Sequence, residues 1–222
     1  MHKKTNKFKA ILFDLDGTLV DTAPDLACAL NHVLLAENKP ILPLSEIRSV
    51  ASDGALGLIN LGFQITADHP DYSRLREKLI HYYFSNIDTK SCLFQGIEKI
   101  LHICAENKIP WGIVTNKPGY LTDRLIRKLN LFRFTRCIVS GDTLKQRKPD
   151  PTPLIYAANL LNLTPEECCY IGDAERDIIA AKACDMYVIA ALYGYLQKDT
   201  DPYAWQANAY VKSPEELVSL IF

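Results

Sequence analysis

The chain has 222 residues, 48% of them hydrophobic and 23% charged, a composition that suits a globular protein of one moderate domain plus a smaller second one. A net charge of −1 leaves no footprint for nucleic acid or a membrane surface, and no apolar stretch is long enough to span a bilayer. The basic start Met1-His2-Lys3-Lys4 is followed by only four apolar residues before Asp14, too short a run for a signal peptide, so a cytoplasmic location is expected.

Those four residues, Ala10-Ile11-Leu12-Phe13, predict a short buried strand that runs straight into Asp14 and Asp16. Residues i and i+2 of extended chain point the same way, so both carboxylates can face one site, with Gly17 supplying a sharp turn. In open parallel α/β sheets that crevice is where ligands bind. Carboxylates so close repel each other unless a proton or cation relieves them, and a hard cation, most simply Mg²⁺, is the natural partner. The bland alternative is a pair of turn or helix-cap residues.

Asp21 or Thr22 can cap the next helix, with Pro24 in its first turn and Leu26, Leu30, Val33 and Leu34 on its buried face. Ser45 opens a short helix, Ser52-Asp53-Gly54 reads as a loop, and helices follow around Leu56–Leu61 and over Asp71–Asn86. This first third holds no convincing strand and reads as an all-helical insertion. From about Cys92 the pattern changes. Strands are predicted at Trp111–Val114, Cys137–Val139, Cys169–Ile171, Tyr187–Ala190 and Ala209–Val211, with helices between the first four. Ser213, Pro214 and Glu216 then form a capping-box signature for a last helix. Such alternation implies a parallel sheet covered on both faces.

Several strands end in polar residues. Thr115-Asn116 follows one, Lys148-Pro149 lies in the loop after another, and Gly172-Asp173 with Asp177 follows a third. Each alone has an ordinary explanation as a cap or a solvated loop residue. Gathered on one sheet edge, they make a site of acids, a hydroxyl, amide donors and one fixed cation, which suits a metal and a phosphate sharing a pocket. The seven cysteines, odd in number and without a CxxC pair, read as small buried hydrophobes of a reducing compartment. The five histidines (His2, His32, His69, His81, His102) show no ligand spacing and read as structural or surface residues.

The pattern resembles the haloacid dehalogenase superfamily of phosphohydrolases. Asp14-Leu15-Asp16-Gly17-Thr18-Leu19-Val20 is similar to its first motif, Thr115-Asn116 to its second, Lys148-Pro149 to its third, and Gly172-Asp173 with Asp177 to its fourth. The resemblance implies a Rossmann-like parallel sheet over 1–21 and 92–222, with an inserted helical cap domain over 22–91. Within the superfamily, Val114-Thr115-Asn116-Lys117-Pro118, Ser140-Gly141-Asp142 and Arg147-Lys148-Pro149-Asp150-Pro151 resemble the phosphoglycolate phosphatase group. Ala51-Ser52-Asp53-Gly54-Ala55 and Trp111–Gly119 resemble somewhat more a related subgroup acting on N-acetylmuramic acid 6-phosphate.

The resemblance implies that Asp14 attacks phosphorus to form an aspartyl-phosphate and that Asp16 is the acid and base. Thr115, the Asn116 N–H and Lys148 would hold the phosphoryl oxygens. Mg²⁺ would be held by Asp14, the Asp16 carbonyl and Asp173, with Asp177 behind them. The expected partner is a small phosphorylated metabolite, with neither nucleic acid nor membrane, and the expected assembly a monomer or homodimer. Ser52-Asp53-Gly54 with nearby Arg48 is a candidate reader of the leaving group, or an ordinary helix–helix turn. A sugar-phosphate mutase or phosphotransferase, and a non-catalytic binding protein on the same scaffold, are the competing readings.

Overall fold

The computed structural model describes residues 7–222, so the basic start at residues 1–4 lies outside the described residues. β1 (Ala10–Phe13) is buried along its whole length. It leads through a two-residue strand β2 (Val20–Asp21) into helices α1 (Ala23–Ala36), α2 (Leu44–Arg48), α3 (Gly54–Phe63) and α4 (Tyr72–Ser85). β3 (Cys92–Leu93) then pairs antiparallel with β2. The remainder alternates: α5 (Ile97–Glu106), β4 (Trp111–Val114), α6 (Gly119–Lys128), β5 (Cys137–Val139), α7 (Thr152–Leu160), β6 (Cys168–Gly172), α8 (Glu175–Lys182), β7 (Tyr187–Ala191), β8 (Ala209–Val211) and α9 (Leu217–Ile221).

The six-stranded sheet has the order β5-β4-β1-β6-β7-β8 and is parallel throughout. β1 registers Phe13 against Ile113 on one side and Ile171 on the other. The chain builds outward from β1 through β4 to β5, then crosses back to β6, β7 and β8. This reversal opens a crevice beyond the carboxyl ends of the central strands. Alternate residues feed two cores. Ile11 and Phe13 pack with Ile100, Leu125 and Leu217 from α5, α6 and α9 on one face. Ala10 and Leu12 pack with Leu154 and Ile178 from α7 and α8 on the other. The four helices between β2 and β3 form the inserted cap, and α1 packs against α2, α3 and α4 within it.

The expected strands and helices all form, with ends shifted by a residue or two, and 22–91 contains no strand. The first third does, however, contain β2, and its partner β3 lies just after the insertion. Together they tie the two crossings of the chain into the cap. Two expected caps do not form. Thr22 precedes α1 but its hydroxyl goes to Asp16 instead. Ser213 makes no cap bond, and Pro214–Glu216 winds as a 3₁₀ turn before α9. A capping box unforeseen from the sequence forms at Thr164, whose N–H donates to Glu167 Oε2 at 3.0 Å. All seven cysteines are free; Cys104, Cys137, Cys168, Cys169 and Cys184 are buried, whereas Cys92 is exposed and Cys28 half-buried. His32, His81 and His102 lie on helices, whereas His69 sits in the turn before α4. No helix among the described residues is long and apolar enough to cross a membrane.

Candidate active site

Asp14 sits where β1 ends. Its N–H still donates to the Ile171 carbonyl at 2.8 Å, so the sheet ladder fixes its backbone. Its Oδ1 accepts from the Leu15 N–H at 2.7 Å and lies 3.0 Å from Lys148 Nζ. Among the described residues, no hydrogen bond reaches Oδ2 of this 4%-exposed side chain. Lys148, from the loop after β5, is fully enclosed. Its ammonium donates to the Val114 carbonyl at 2.9 Å and the Tyr170 hydroxyl at 2.6 Å, and pairs with Asp177 Oδ1 at 2.7 Å. Burial pulls the Lys148 ammonium down, but the charges of Asp14 and Asp177 outweigh it and hold the group above its ordinary range. Asn116 fixes the lysine's backbone: its Nδ2 donates to the Lys148 carbonyl at 2.9 Å, and its Oδ1 accepts from the Lys148 N–H at 3.1 Å.

Asp173 follows β6 and Asp177 lies in the first turn of α8. Asp14, Asp173 and Asp177, all buried, each offer a carboxylate oxygen within 4.8 Å of the others. Asp173 Oδ1 accepts from the Thr18 hydroxyl at 2.9 Å, and its Oδ2 from the Tyr195 N–H at 2.9 Å and the Ser52 hydroxyl at 3.0 Å. Burial, then the charges of Asp14 and Asp177, push the Asp173 carboxyl up to about 7 against these donors. The turn after Asp16 needs glycine: Gly17 has φ +85°, and a Cβ there would lie 2.2 Å from Asp173 Oδ2. This donor set is oxygen-only, anionic and buried, and its mutual repulsion is what a divalent cation relieves. It therefore fits a hard cation such as Mg²⁺.

Asp16 turns away from that cluster. Its Oδ1 accepts from the Thr22 hydroxyl at 2.6 Å and from Lys117 Nζ at 2.9 Å. Thr115, at the end of β4, is buried; its Oγ1 accepts from the Lys117 N–H at 3.2 Å. The Asn116 N–H has no partner among the described residues. Asp14, Asp16, Thr115 and Asn116 line one cleft of about 810 Å³, whose opposite wall is the cap: Ser52, Asn60, Ala67, Tyr72, Arg76 and Tyr83. The sequence-based site residues thus converge on one sheet edge, with Lys148 and Asp177 directly behind Asp14.

Other contacts join these residues across the fold. Ser52, in the segment read either as a reader of the leaving group or as an ordinary helix–helix turn, lines the cleft and sends its hydroxyl to Asp173 Oδ2 at 3.0 Å. Arg48 is not among the residues lining the cleft: it makes two bonds of 2.9 Å to Asp21 in β2. Arg176 donates to the Ser52 carbonyl at 2.7 Å and lies 3.6 Å from Asp53. Thr18 and Lys117 lie inside the quoted motifs and Tyr83 on a helix face, but their partners, like those of Tyr195, were not readable in the sequence, because these contacts join elements far apart in the chain.

A family model described as haloacid dehalogenase-like hydrolase matches residues 11–191. The chain is 38% identical over 209 residues to a phosphoglycolate phosphatase of Xanthomonas campestris, covering 94% of each chain. It is 32% identical over 218 residues to the N-acetylmuramic acid 6-phosphate phosphatase of Pseudomonas aeruginosa, covering 98% of this chain and 96% of that one. Among solved structures, one from Haemophilus somnus, named as a predicted phosphoglycolate phosphatase, superposes with a TM-score of 0.86 at 23% identity, over 98% of this chain and 99% of its own. A haloacid dehalogenase-like family hydrolase of Streptococcus pneumoniae gives 0.82 at 21%, over 96% and 98%. With its parallel sheet, its inserted helical cap and its motif residues gathered at one edge, this chain belongs to the haloacid dehalogenase-like hydrolases.

Proposed function

We propose that the protein is a Mg²⁺-dependent phosphomonoesterase acting on a small phosphorylated metabolite through an aspartyl-phosphate. The observation that carries this reading is the group of buried carboxylates of Asp14, Asp173 and Asp177 with the Lys148 ammonium wedged among them. Acids held this close to one fixed cation suit a site that handles both a metal and a phosphate.

Asp14 Oδ2, which no donor among the described residues engages, attacks phosphorus in line as the bond to the leaving oxygen breaks. Asp16 gives that alkoxide its proton. Water then attacks phosphorus, Asp16 takes the water's proton, and the Asp14 carboxylate is released. The Thr115 hydroxyl and the Asn116 N–H donate to phosphoryl oxygens, while Lys148 offsets the charge brought together at Asp14. Mg²⁺ would be held by Asp14, the Asp16 carbonyl and Asp173, with Asp177 supporting Lys148 and the metal's surroundings. When bound, the ion neutralises phosphoryl charge and relieves the repulsion among the carboxylates. Residues 22–91 act as a cap domain that shields a core formed by 1–21 and 92–222 from bulk water.

The named relatives divide between phosphoglycolate and N-acetylmuramic acid 6-phosphate. Similarity to the first group supports phosphoglycolate as substrate. The cleft favours the second reading: about 810 Å³ lies inside the ~300–1,000 Å³ that accommodates drug-sized ligands. This space persists although Ser52 and Tyr83 of the cap already touch the core. The test is hydrolysis of p-nitrophenyl phosphate by the purified protein, abolished by EDTA and restored by Mg²⁺. Phosphate appearing on a sugar acceptor would instead indicate a mutase or phosphotransferase, and no turnover of any ester a binding protein.

A further inference from the structure

Asp16 must present one carboxylate oxygen to the leaving group, and its surroundings decide which. Both protein bonds it accepts, from Thr22 and Lys117, fall on Oδ1, and among the described residues none reaches Oδ2. Thr22 lies at the entry to the cap. Lys117 belongs to the core loop after β4, yet its ammonium also donates to the Tyr83 hydroxyl on cap helix α4 at 2.9 Å and lies 4.7 Å from that ring's centroid. Lys117 is 9% exposed and Tyr83 1% exposed, so water does not substitute for either partner while the cap is seated. Burial pushes the Tyr83 phenol up to about 12, which keeps it neutral and able to accept from the ammonium.

We propose that Lys117 is a positioning residue that couples the aim of Asp16 to the seating of the cap, with Tyr83 as its cap-side anchor. A lysine has a long flexible stem and loses much rotamer freedom when held in one geometry. With Tyr83 in place, the ammonium is fixed from both sides and Oδ1 is occupied, which leaves Oδ2 to serve the leaving group. When the cap swings away, Lys117 loses its second anchor and Asp16 loses its fixed orientation. The proton donor is thereby assembled only over an enclosed substrate. This inference rests on the phosphatase reading.

The test uses Tyr83→Phe, which removes only the hydroxyl, and Lys117→Met, each alone and combined with Asp16→Asn. Activity is read as kcat/KM, which reports steps through departure of the leaving group. The substrates are p-nitrophenyl phosphate, whose leaving group needs little proton assistance, and the better-used of phosphoglycolate and N-acetylmuramic acid 6-phosphate. Tyr83→Phe is expected to cost about tenfold on the alkyl ester and less than about twofold on the aryl ester, with Lys117→Met costing about a hundredfold and severalfold, within the range general acid catalysis supplies. In the Asp16→Asn background neither substitution is expected to add a further loss, because each acts through Asp16. Equal losses on both esters, or losses that persist undiminished beside Asp16→Asn, would overturn the proposal and make Tyr83 and Lys117 direct substrate contacts or packing residues. Unchanged melting of Tyr83→Phe separates these outcomes from misfolding. A wild-type protein that hydrolyses neither ester would remove the phosphatase reading itself, and this inference with it.

Discussion

Asp14 and Asp16 are two residues apart in sequence, yet the structure gives them different surroundings. Asp14 is clamped by Leu15 and Lys148 inside the acid cluster, whereas Asp16 faces the cap through Lys117 and Thr22. On the phosphatase reading, Asp14→Asn and Asp16→Asn should each lower turnover by ~10³-fold or more while the fold survives, because that reading makes them the nucleophile and the proton donor. Steady-state kinetics with matching circular dichroism checks this. Asp173 carries a prediction in pH. An aspartate of the unfolded chain titrates near 3.8, and the folded metal-free group near 7. Between those values the folded state keeps a proton the unfolded state gives up. This contribution to stability is complete below pH ~4 and is lost as pH rises through ~7. Melting of the metal-free protein at pH 5 and pH 8 should therefore show a drop that Asp173→Asn reduces. Mg²⁺ should raise the melting temperature of the wild type at pH 8 more than that of the variant. The acids and Lys148 were legible because each follows a strand and the family's spacing repeats in order. Lys117 was not, since nothing in a loop lysine's sequence context names a tyrosine 34 residues earlier as its partner.

The long elements were legible for a similar reason. β1 and β5 are apolar runs bounded by polar residues, β4 is one that ends at Thr115, and α1 shows its buried face at helical spacing. β2 and β3 were invisible, because two residues carry no periodicity and only pairing across the insertion defines them. The same junction is held by Asp25 in α1, which is 2% exposed. Its carboxylate accepts from the Lys90 N–H at 3.0 Å, the Ser91 N–H at 2.8 Å and the Ser91 hydroxyl at 2.7 Å. Nothing about Asp25 in sequence distinguishes it from a favourable acid in a helix's first turn. The structure instead gives it the task of tying the return of the chain to the start of the cap. Asp25→Ala strands the buried Ser91 N–H there, at a cost of about 1–3 kcal/mol. Urea denaturation should show the loss, and Ser91→Ala, which removes one donor and leaves the carboxylate its backbone partners, should cost about 1 kcal/mol.

In the whole molecule, the candidate reactive groups sit on the sheet edge and the cap forms the opposite wall of the cleft, so on the proposed reading chemistry and selectivity occupy different parts of the chain. Ser52 and Tyr83 hold the cap on the core through Asp173 and Lys117. A cleft of about 810 Å³ nevertheless remains, lined on the cap side by residues such as Asn60, Ala67 and Tyr72. A two-carbon ester leaves most of this space to water, whereas a substituted hexose phosphate would occupy more of it. Substrate size can therefore be separated from chemistry by narrowing the cleft on the cap side alone. Ala67 is exposed and makes none of the side-chain contacts that seat the cap. Ala67→Trp should leave kcat/KM for p-nitrophenyl phosphate within about twofold. If N-acetylmuramic acid 6-phosphate is a substrate, its kcat/KM should fall about tenfold or more, the effect of ~1–3 kcal/mol of crowding against a large leaving group. Phosphoglycolate should follow the aryl ester. Equal retention of all three activities would mean that the far wall of the cleft meets no substrate, and would return the choice to the two-carbon ester.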